Sequence, residues 1–408
     1  MDLGLEGGFE VLQESVNVNM YPEWIEAPGR DGFVRLKETG LRNIFANDIK
    51  PSAQRAWSTY FAKRGVDSSA FRLRSIVDLV KEARATATKP VFPLDVDIVT
   101  GGFPCQDFSV AGKRMGFRSD KSHNGGLLDT LCEEPSVENR GMLYHWMKEA
   151  IEIIRPKLFI AENVKGLVNL SNVKRVIEGD FRSISGSGYA VVEAKVLHAG
   201  DYGVPQMRGR VIFFGFRRDA LRADALRALS FPTIPKDYDP YPPPTHSRQM
   251  GTSVGGTQTR LLPIVTCRTA FRGLREPDRE TDDLSQIAHS RAKFMGKHCQ
   301  GQSEVDLDGL GPTIRAEHHG NIEFRRLSKE HGGRILEELQ AGLPERRLTL
   351  RECARMQTFP DDYEFVISRN GMQVSASNGY KLVGNAVPPL LAYNLGQRIQ
   401  WMWERYFR

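Results

Sequence analysis

One stretch of this sequence indicates the fold class most clearly. It covers residues 95–114 and reads D-V-D-I-V-T-G-G-F-P-C-Q-D-F-S-V-A-G-K-R. Residues 95–100 predict a buried strand, and the glycines and Pro104 that follow predict a turn that carries Cys105. Ligands of open α/β sheets bind beyond the carboxyl ends of the strands, which places Cys105 at the mouth of the crevice. A free cysteine is more often a small buried hydrophobe, but Pro104 and the two glycines argue against burial here.

Residues around this segment alternate between short apolar runs and helix-period stretches, the pattern of a parallel sheet covered by helices. Apolar residues at three- and four-residue steps predict a helix from Leu143 to about Pro156. Residues 158–161 are the next predicted strand, and Glu162 and Asn163 follow it directly. A carboxyl at such a strand end can act as an acid, although a capping or salt-bridging glutamate is the ordinary alternative.

Two further strands are predicted at 190–197 and 211–216, in antiparallel contact because the link between them is short. The second strand begins in Q-M-R-G-R-V-I-F-F, where three polar side chains alternate and therefore share one face. These side chains are Gln206, Arg208 and Arg210. One face of guanidinium groups suits a carboxylate, a phosphate or a carbonyl oxygen.

The composition changes after residue 230, where F-P-T-I-P-K-D-Y-D-P-Y-P-P-P-T (231–245) has too many prolines for a helix or a central strand. We therefore predict three parts, a first domain over 1–219, a second domain over 220–345, and a return to the first domain over 346–408. The second domain contains scattered arginines among Gly, Thr and Ser. Helical periodicity returns at 349–357 and at 389–403.

The overall composition is that of a globular protein, with 408 residues, 40% hydrophobic and 26% charged. No apolar run approaches the roughly 18 residues of a membrane-spanning helix, and no signal or transit peptide is evident, so we expect a cytoplasmic protein. The net charge of +6 favours a polyanionic partner without requiring one. The five cysteines are widely spaced and His318-His319 has no evident third ligand, so we expect no disulfide framework and no metal.

Four short segments of the chain occur in the order that is typical of one family. They are P-C-Q after a strand, E-N-V after the next, Q-x-R-x-R before a third, and G-N-A-V-P-P (384–389). Together they resemble the ordered motifs of the DNA (cytosine-5)-methyltransferases, over nearly the whole chain outside 220–345. The resemblance implies an α/β fold, with a Rossmann-like S-adenosylmethionine-dependent methyltransferase domain and a smaller, irregular target-recognition domain.

The resemblance also implies a mechanism in which the Cys105 thiolate attacks carbon 6 of a cytosine flipped out of the duplex, so that carbon 5 can accept a methyl group. Glu162 would hold ring nitrogen 3, and Arg210 would reach the carbonyl at position 2 and brace Glu162. Arg208 is assigned to the same catalytic set. The remaining residues assigned to the substrate are Pro104, Gln106, Ser109, Asn163, Gln206, Thr313 and Arg315.

The methyl donor implied by the resemblance is S-adenosyl-L-methionine. F-A-N-D-I (45–49) resembles the family's second motif, with Asp48 at the ribose hydroxyls and Ile49 beside the adenine. R-S-I-V-D-L (74–79) resembles the next motif less faithfully, because Ser75 stands where an aspartate is usual. The other cofactor-lining positions are Ile76, Gly102, Leu143 and Asn385.

The family's first motif, F-x-G-x-G-G at the end of the first strand, is not found in M-D-L-G-L-E-G-G-F-E-V. This segment resembles what normally follows that loop. Either the start codon is assigned too far downstream or the product lacks its first strand. We therefore expect S-adenosylmethionine binding to be weakened, and calorimetric titration showing ordinary micromolar affinity would contradict this expectation.

The resemblance implies double-stranded DNA as the partner, with 220–345 reading a specific sequence. G-P-T-I-R-A-E-H-H-G (311–320) is similar to the recognition turn of the family, which makes Thr313 and Arg315 candidates for DNA contact. We expect a monomer that works beside a separately acting restriction endonuclease. Two alternatives remain open, a non-catalytic DNA-binding relative and a tRNA cytosine-5 methyltransferase.

Overall fold

The computed structural model describes residues 1–86, 90–103, 143–169, 172–249, 260–278, 281–316, 322–365, 368–369, 372–373 and 375–407. Within these ranges the strands are β1 (Glu10–Leu12), β2 (Ile25–Pro28), β3 (Phe33–Leu36), β4 (Ala46–Asp48), β5 (Phe71–Leu73), β6 (Ile98–Gly102), β7 (Leu158–Val164), β8 (Tyr189–Val191), β9 (Lys195–His198), β10 (Gly209–Arg217), β11 (His246–Ser247), β12 (Leu262–Pro263), β13 (Phe324–Arg326), β14 (Arg346–Arg347), β15 (Ser368–Arg369) and β16 (Met372–Gln373). The helices of the same ranges are α1 (Asp2–Glu6), α2 (Pro51–Ala62), α3 (Ile76–Ala85), α4 (Leu143–Ile154), α5 (Val173–Arg182), α6 (Ala223–Leu229), α7 (Cys267–Ala270), α8 (Leu284–Ile287), α9 (Leu336–Gln340), α10 (Leu350–Met356), α11 (Ala376–Asn385) and α12 (Pro389–Tyr406).

The central sheet has five strands, with β6, β7, β10 and β8 in that order and β9 paired to the other half of β10. β6 and β7 are parallel, as the alternation of strand and helix predicts, whereas β10 is antiparallel to β7, β8 and β9. The apolar side chains of β7 and β10 are almost completely buried because helices and loops cover both faces of the sheet. The expected α/β fold is therefore confirmed.

Two of the predicted strands differ from those observed. The first was expected over 95–100 but begins at Ile98, because Asp95 has a φ of 56°, which is incompatible with an extended chain. The second was expected as one strand over 190–197 but forms β8 and β9. The Tyr241 hydroxyl accepts from the Lys195 backbone N–H at 3.2 Å and donates to the Ile212 carbonyl at 2.8 Å, which places it within the ladder. A side chain from the proline-rich linker thus interrupts the strand.

The parallel pair β4 and β5 forms a small sheet of its own, with α2 between the two strands in sequence. Among the described residues, no backbone ladder joins this pair to the central sheet. The connection is made by helix packing instead, since Val77 of α3 and Leu143 of α4 belong to one buried cluster. Arg84 adds ion pairs to Glu149 and Glu152 at 2.8 and 3.1 Å.

The C-terminal helix α12 packs against α1, which brings the end of the chain back to its beginning. A Cβ atom on Gly4 would lie 2.1 Å from the Pro389 carbonyl oxygen, so only glycine allows this approach. The predicted apolar face of α12 is buried and comprises Leu390, Leu391, Asn394, Leu395 and Ile399. No helix in the described part of the chain is long and apolar enough to cross a membrane.

The region over 220–345 has little regular structure in its described part and is held instead by buried ion pairs. Glu276 accepts from Arg346 at 2.7 Å and from Arg326 at 3.0 Å, and Arg346 also pairs with Glu352 at 2.8 Å. Burial alone would raise the pKa of Glu276, but the two arginines lower it to about 2. The pairing therefore contributes stability above the ordinary pKa of 4.5, and this contribution is lost as the pH falls towards 2.

Candidate active site

The predicted catalytic pair Glu162 and Arg210 meets between the inner strands β7 and β10, close to the carboxyl ends of β6 and β7. Arg210 Nε lies 2.6 Å from Glu162 Oε1, and both residues are 7% exposed. Strand pairing places them there. Glu162 of β7 lies beside Gly102 of the parallel strand β6 and opposite Ile212 of the antiparallel strand β10, which also carries Arg210. A Cβ on Gly102 would lie 3.1 Å from Glu162 Oε2, so glycine leaves room for the carboxylate. A buried, charge-assisted pair fixes the carboxyl group in one orientation.

Asn163 connects this pair to the start of the cysteine turn. Its Nδ2 donates to the Phe103 carbonyl oxygen at 3.2 Å, and its Oδ1 accepts from the Val164 backbone N–H. Phe103 directly precedes Pro104 and Cys105 in the sequence. Four predicted site residues lie outside the described residues, namely Pro104, Cys105, Gln106 and Ser109. The described structure thus fixes the chain up to the residue before the P-C-Q triplet.

Gln206 is fully buried at the approach to β10. Neither its amide nitrogen nor its amide oxygen has a hydrogen-bond partner within the described ranges. Its backbone neighbours are well fixed, because the Met207 N–H donates to the Gly311 carbonyl at 2.7 Å and the Gly311 N–H donates to the Pro205 carbonyl at 3.0 Å. A buried amide that is left unsatisfied is costly, which makes Gln206 a candidate for contact with a substrate.

Arg208 is 1% exposed, and its guanidinium group binds backbone carbonyl oxygens. Nη1 donates to Ile314 at 3.0 Å, and Nη2 donates to Gly384 at 2.6 Å and to Ala386 at 2.8 Å. These acceptors come from the T-I-R turn and from the G-N-A-V-P-P segment. The structure therefore shows Arg208 joining two loops, while Arg210, two residues later, holds the carboxylate.

The recognition candidates Thr313 and Arg315 flank the buried Ile314. The Thr313 hydroxyl donates to the Met207 carbonyl oxygen, which ties the turn to the start of β10. Arg315 Nη1 donates to Gln300 Oε1 at 2.8 Å. The structure thus brings Thr313 next to the Q-M-R segment and directs Arg315 towards the loop that contains Gln300.

The cofactor candidates lie at the ends of five elements. Asp48 ends β4 and Ile49 follows it, Ser75 caps α3 and Ile76 begins it, Gly102 ends β6, Leu143 begins α4 and Asn385 ends α11. Ser75 is buried and caps α3 by accepting from the Val77 N–H at 3.2 Å. Serine and aspartate are both strong N-cap residues, so a serine preserves the start of this helix.

The end of the β4–β5 pair fits an adenosine group. Ile49 is 42% exposed and Leu73, which lies opposite Asp48, is 36% exposed. These apolar side chains offer contact to a ring beside the Asp48 carboxylate, whose Oδ1 accepts from the Lys50 N–H. Burial raises the pKa of Asp48, although the Lys50 N–H opposes the shift. Apolar surface next to a hydrogen-bonding carboxylate is what a nucleoside requires.

A separate cavity of about 960 Å³ lies near the start of β5 and contains none of the predicted site residues. Its walls include the Arg42–Glu38 pair at 2.7 Å and the Arg64–Glu6 pair at 3.5 Å. Within the described ranges no group of three His, Cys, Asp or Glu side chains could hold a metal ion. His318 and His319 lie outside those ranges.

Sequence reasoning missed two residues beside the site, Gln357 and Thr358. Gln357 Nε2 donates to the carbonyls of Val383 and Ala386 at 2.7 and 2.8 Å. Thr358 has a φ of 64° and its hydroxyl accepts from the Leu390 N–H at 3.0 Å. A β-branched residue in the left-handed region is strained, and nothing in the local sequence signals it.

Comparison with known proteins identifies the relatives of this chain. The family model described as C-5 cytosine-specific DNA methylase matches residues 32–401. The chain is 30% identical to the Type II methyltransferase M.BsuRI of Bacillus subtilis over 400 residues, which are 95% of this chain and 75% of the relative. It is 31% identical to M.BspRI of Lysinibacillus sphaericus, over 97% of this chain and 78% of the relative.

The fold is similar to that of solved methyltransferase structures. The S. pombe Dnmt2 methyltransferase superposes with a TM-score of 0.51 and 15% identity, covering 89% of this chain and 90% of that one. A Spodoptera frugiperda DNMT2 mutant gives a TM-score of 0.51 and 17% identity, covering 88% and 93%. The structural likeness supports the fold, and the family match with the two curated relatives supports the classification. The chain therefore belongs to the C-5 cytosine-specific DNA methylase family.

Proposed function

We propose that this DNA (cytosine-5)-methyltransferase acts on a specific duplex sequence through a covalent adduct between Cys105 and a flipped cytosine. Membership of the family makes S-adenosylmethionine the methyl donor. The observation that supports this mechanism is the buried Glu162–Arg210 pair at 2.6 Å, beside the Asn163 side chain that binds Phe103. This arrangement puts an acid and a cation next to the chain that leads into the P-C-Q triplet.

The proposed chemistry begins with addition of the Cys105 thiolate to carbon 6 of the ring, which breaks the double bond between carbons 5 and 6. The displaced electron pair moves towards ring nitrogen 3 and the carbonyl at position 2. Glu162 supplies a proton or shared hydrogen bond at nitrogen 3, and Arg210 stabilises charge at the carbonyl oxygen. After the methyl group is on carbon 5, a general base removes the proton from carbon 5 and the bond between carbon 6 and sulfur breaks, which restores the aromatic ring and releases the Cys105 thiolate.

The residues proposed to hold the methyl donor are the cofactor candidates described above. Asp48 binds the ribose hydroxyls, and Ile49 and Ile76 contact the adenine ring. Gly102, Leu143, Ser75 and Asn385 complete the lining. Bound S-adenosylmethionine supplies the electrophilic methyl group, while the protein orients the flipped ring towards it and excludes water.

Residues 220–345 are proposed as the target-recognition domain, with residues 1–219 and 346–408 forming the catalytic domain. Loops that buried ion pairs hold in place suit the recognition of DNA, because the side chains they present are not confined to the face of one helix or strand. The β13–β14 pairing spans the second proposed boundary, with Arg326 opposite Arg346.

The proposed biological role is protection of DNA in a restriction-modification pair. It is supported by the names of the relatives, which are Type II methyltransferases. We propose a cytoplasmic monomer acting independently of its nuclease.

The proposed function is tested by methyl transfer from radiolabelled S-adenosylmethionine to duplex DNA and, in parallel, to tRNA. We expect label in the DNA only, recovered as 5-methylcytosine after digestion to nucleosides. Label in tRNA alone would favour the RNA alternative. DNA binding without any transfer would favour a non-catalytic relative.

Replacement of Arg315 by alanine is expected to reduce sequence discrimination more than general affinity, because base contacts specify and phosphate contacts position. The ratio of affinities for cognate and random duplexes should fall about 5- to 100-fold, the range for a lost arginine–base contact. Binding titrations at fixed salt with both duplexes measure this ratio. Arg291→Ala, at an exposed arginine of the same region, is the matched control. Equal losses on both duplexes would remove Arg315 from the recognition set.

Replacement of Gln206 by methionine is expected to raise stability and lower activity together. The change removes an unsatisfied buried amide at nearly constant shape, so the free energy of unfolding should rise by about 1 kcal/mol. Methyl transfer should fall about tenfold or more if the amide binds the substrate. Denaturant unfolding and transfer rates measure the two effects.

The matched control for Gln206 is Gln357→Met, because Gln357 is also fully buried but donates two hydrogen bonds. That change should lower the free energy of unfolding by about 1 to 3 kcal/mol. A Gln206→Met protein with full methyl transfer would show that the unpaired amide has no role in the reaction.

A further inference from the structure

Arg208 joins two segments that are far apart in the sequence. Its three carbonyl acceptors lie 106 and 176 to 178 residues away, on the T-I-R turn and at the end of α11. The side chain is almost fully buried, so solvent does not compete for these hydrogen bonds. A planar guanidinium with fixed donor directions holds several acceptors in one geometry, which a single ammonium group does not.

Two further residues hold the end of α11 and the start of α12. Gln357 donates to the carbonyls of Val383 and Ala386, so Ala386 is shared between Gln357 and Arg208. The Gly384 and Ala386 carbonyls that accept from Arg208 lie at the C-terminal end of the helix, where a cation is favourable. The strained Thr358 binds the N–H of Leu390 at the start of α12. Movement of this segment therefore requires several buried hydrogen bonds to break.

The two segments also touch directly through their backbones. A Cβ atom on Gly384 would lie 2.7 Å from the Ala316 nitrogen and 2.7 Å from the Arg315 carbonyl carbon. Asn385, which is exposed, follows Gly384 in the sequence, and Thr313 and Arg315 flank Ile314. A shift of Asn385, which is assigned to the cofactor, must therefore displace Thr313 and Arg315, which are assigned to DNA. A shift of Thr313 and Arg315 must likewise displace Asn385.

We propose that Arg208 is a positioning residue that couples binding of the methyl donor at Asn385 to binding of duplex DNA at Thr313 and Arg315. The inference rests on the proposed roles of those three residues. Because coupling between two binding sites is reciprocal, DNA raises the affinity for the donor by the same factor as the donor raises the affinity for DNA. Arg208 acts through the two loops and does not itself touch the reacting ring.

The test measures the affinity of the wild-type protein for S-adenosylhomocysteine by calorimetry, with and without a duplex that the protein binds. The ratio of the two dissociation constants is the coupling factor. For Arg208→Lys we expect this factor to fall at least about fivefold towards 1, because lysine cannot hold both segments. Affinity for each ligand alone should change less than the coupling factor.

The control is Arg351→Lys, because Arg351, which is 2% exposed, is about as buried as Arg208 and also binds buried acceptors. It pairs with Asp283 at 2.6 Å and donates to the carbonyls of Pro360 and Tyr363. Its partners belong to neither coupled segment, so its loss should lower the unfolding temperature and leave the coupling factor unchanged. If Arg208 had only a structural role, Arg208→Lys would behave like Arg351→Lys, with a lower unfolding temperature and an unchanged coupling factor.

Three results would overturn the inference, namely a wild-type coupling factor of 1, unchanged coupling in Arg208→Lys, or equal loss of coupling in Arg351→Lys. If Arg208→Lys does not fold, the Gly384→Ala variant provides the test instead. Its added methyl group pushes the backbone of α11 away from the backbone of Arg315 and Ala316, which should reduce the coupling factor. Retained coupling in that variant would also overturn the inference. A wild-type protein that binds both ligands but transfers no methyl group would contradict the proposed function and leave the coupling measurable.

Discussion

Replacing Cys105 by serine is expected to lower methyl transfer to duplex DNA by about a thousandfold or more, while duplex binding is retained. Removing the nucleophile of a covalent mechanism leaves only binding and electrostatic contributions, and serine is a much weaker nucleophile at neutral pH. Initial rates with radiolabelled S-adenosylmethionine measure the loss, and gel-shift titration measures duplex affinity. Cys299→Ser is the control, since Cys299 is a partly exposed free cysteine outside the proposed site.

A second measurement separates loss of the nucleophile from general damage. A duplex with 5-fluorocytosine at the target cannot lose a proton from carbon 5, so the cysteine adduct should persist and survive denaturing electrophoresis. We expect this complex with the wild-type protein and with Cys299→Ser, and not with Cys105→Ser. Appreciable turnover by Cys105→Ser would mean that another residue is the nucleophile.

Replacing Glu162 by glutamine is expected to lower methyl transfer by about a hundred- to ten-thousandfold, the usual range for a lost general acid. Glutamine has no acidic proton to share with ring nitrogen 3, and it leaves Arg210 without the carboxylate that lies 2.6 Å away. Breaking a buried ion pair also costs about 3 to 5 kcal/mol of stability. The rate must therefore be expressed per folded molecule, with the folded fraction taken from circular dichroism.

The matched control for Glu162 is Glu352→Gln. Glu352 is likewise buried, pairs with Arg346 at 2.8 Å and completes the capping box of α10. Its replacement should lower the unfolding temperature while transfer per folded molecule stays within about twofold. If the two variants lose transfer equally, Glu162 has a structural role only.

Local periodicity was sufficient for most elements around the site. The helix expected from Leu143 ends at Ile154, just before Pro156, and the strand expected at 158–161 extends to Val164. Apolar spacing and proline determine such boundaries locally, so a single sequence reveals them. The boundary at 95–100 and the single strand at 190–197 were wrong, because a left-handed Asp95 and the inserted Tyr241 are not encoded by spacing.

The scattered arginines of 220–345 show where sequence reasoning stops. Arg268 binds Asp308 at 2.7 Å and Glu337 at 2.7 Å, and Arg272 binds Glu14 at 2.6 Å. These pairs join residues that are 40, 69 and 258 positions apart in the chain, so composition alone does not separate structural arginines from those that bind DNA. The assigned roles of Thr313 and Arg315 therefore stay predictions for the titrations above.

The sequence was sufficient to predict the family and the strands next to Glu162 and Arg210, since motif order and apolar spacing are local properties of the chain. The pairing of β7 with β10, which brings Glu162 to Arg210, and the acceptors of each arginine depend on the tertiary structure. Arg208 and Arg210 share a face and a residue type, yet one holds three carbonyls and the other a carboxylate. The physical reason is that hydrogen-bond partners of a buried guanidinium are set by distant segments that reach it only after the chain has folded.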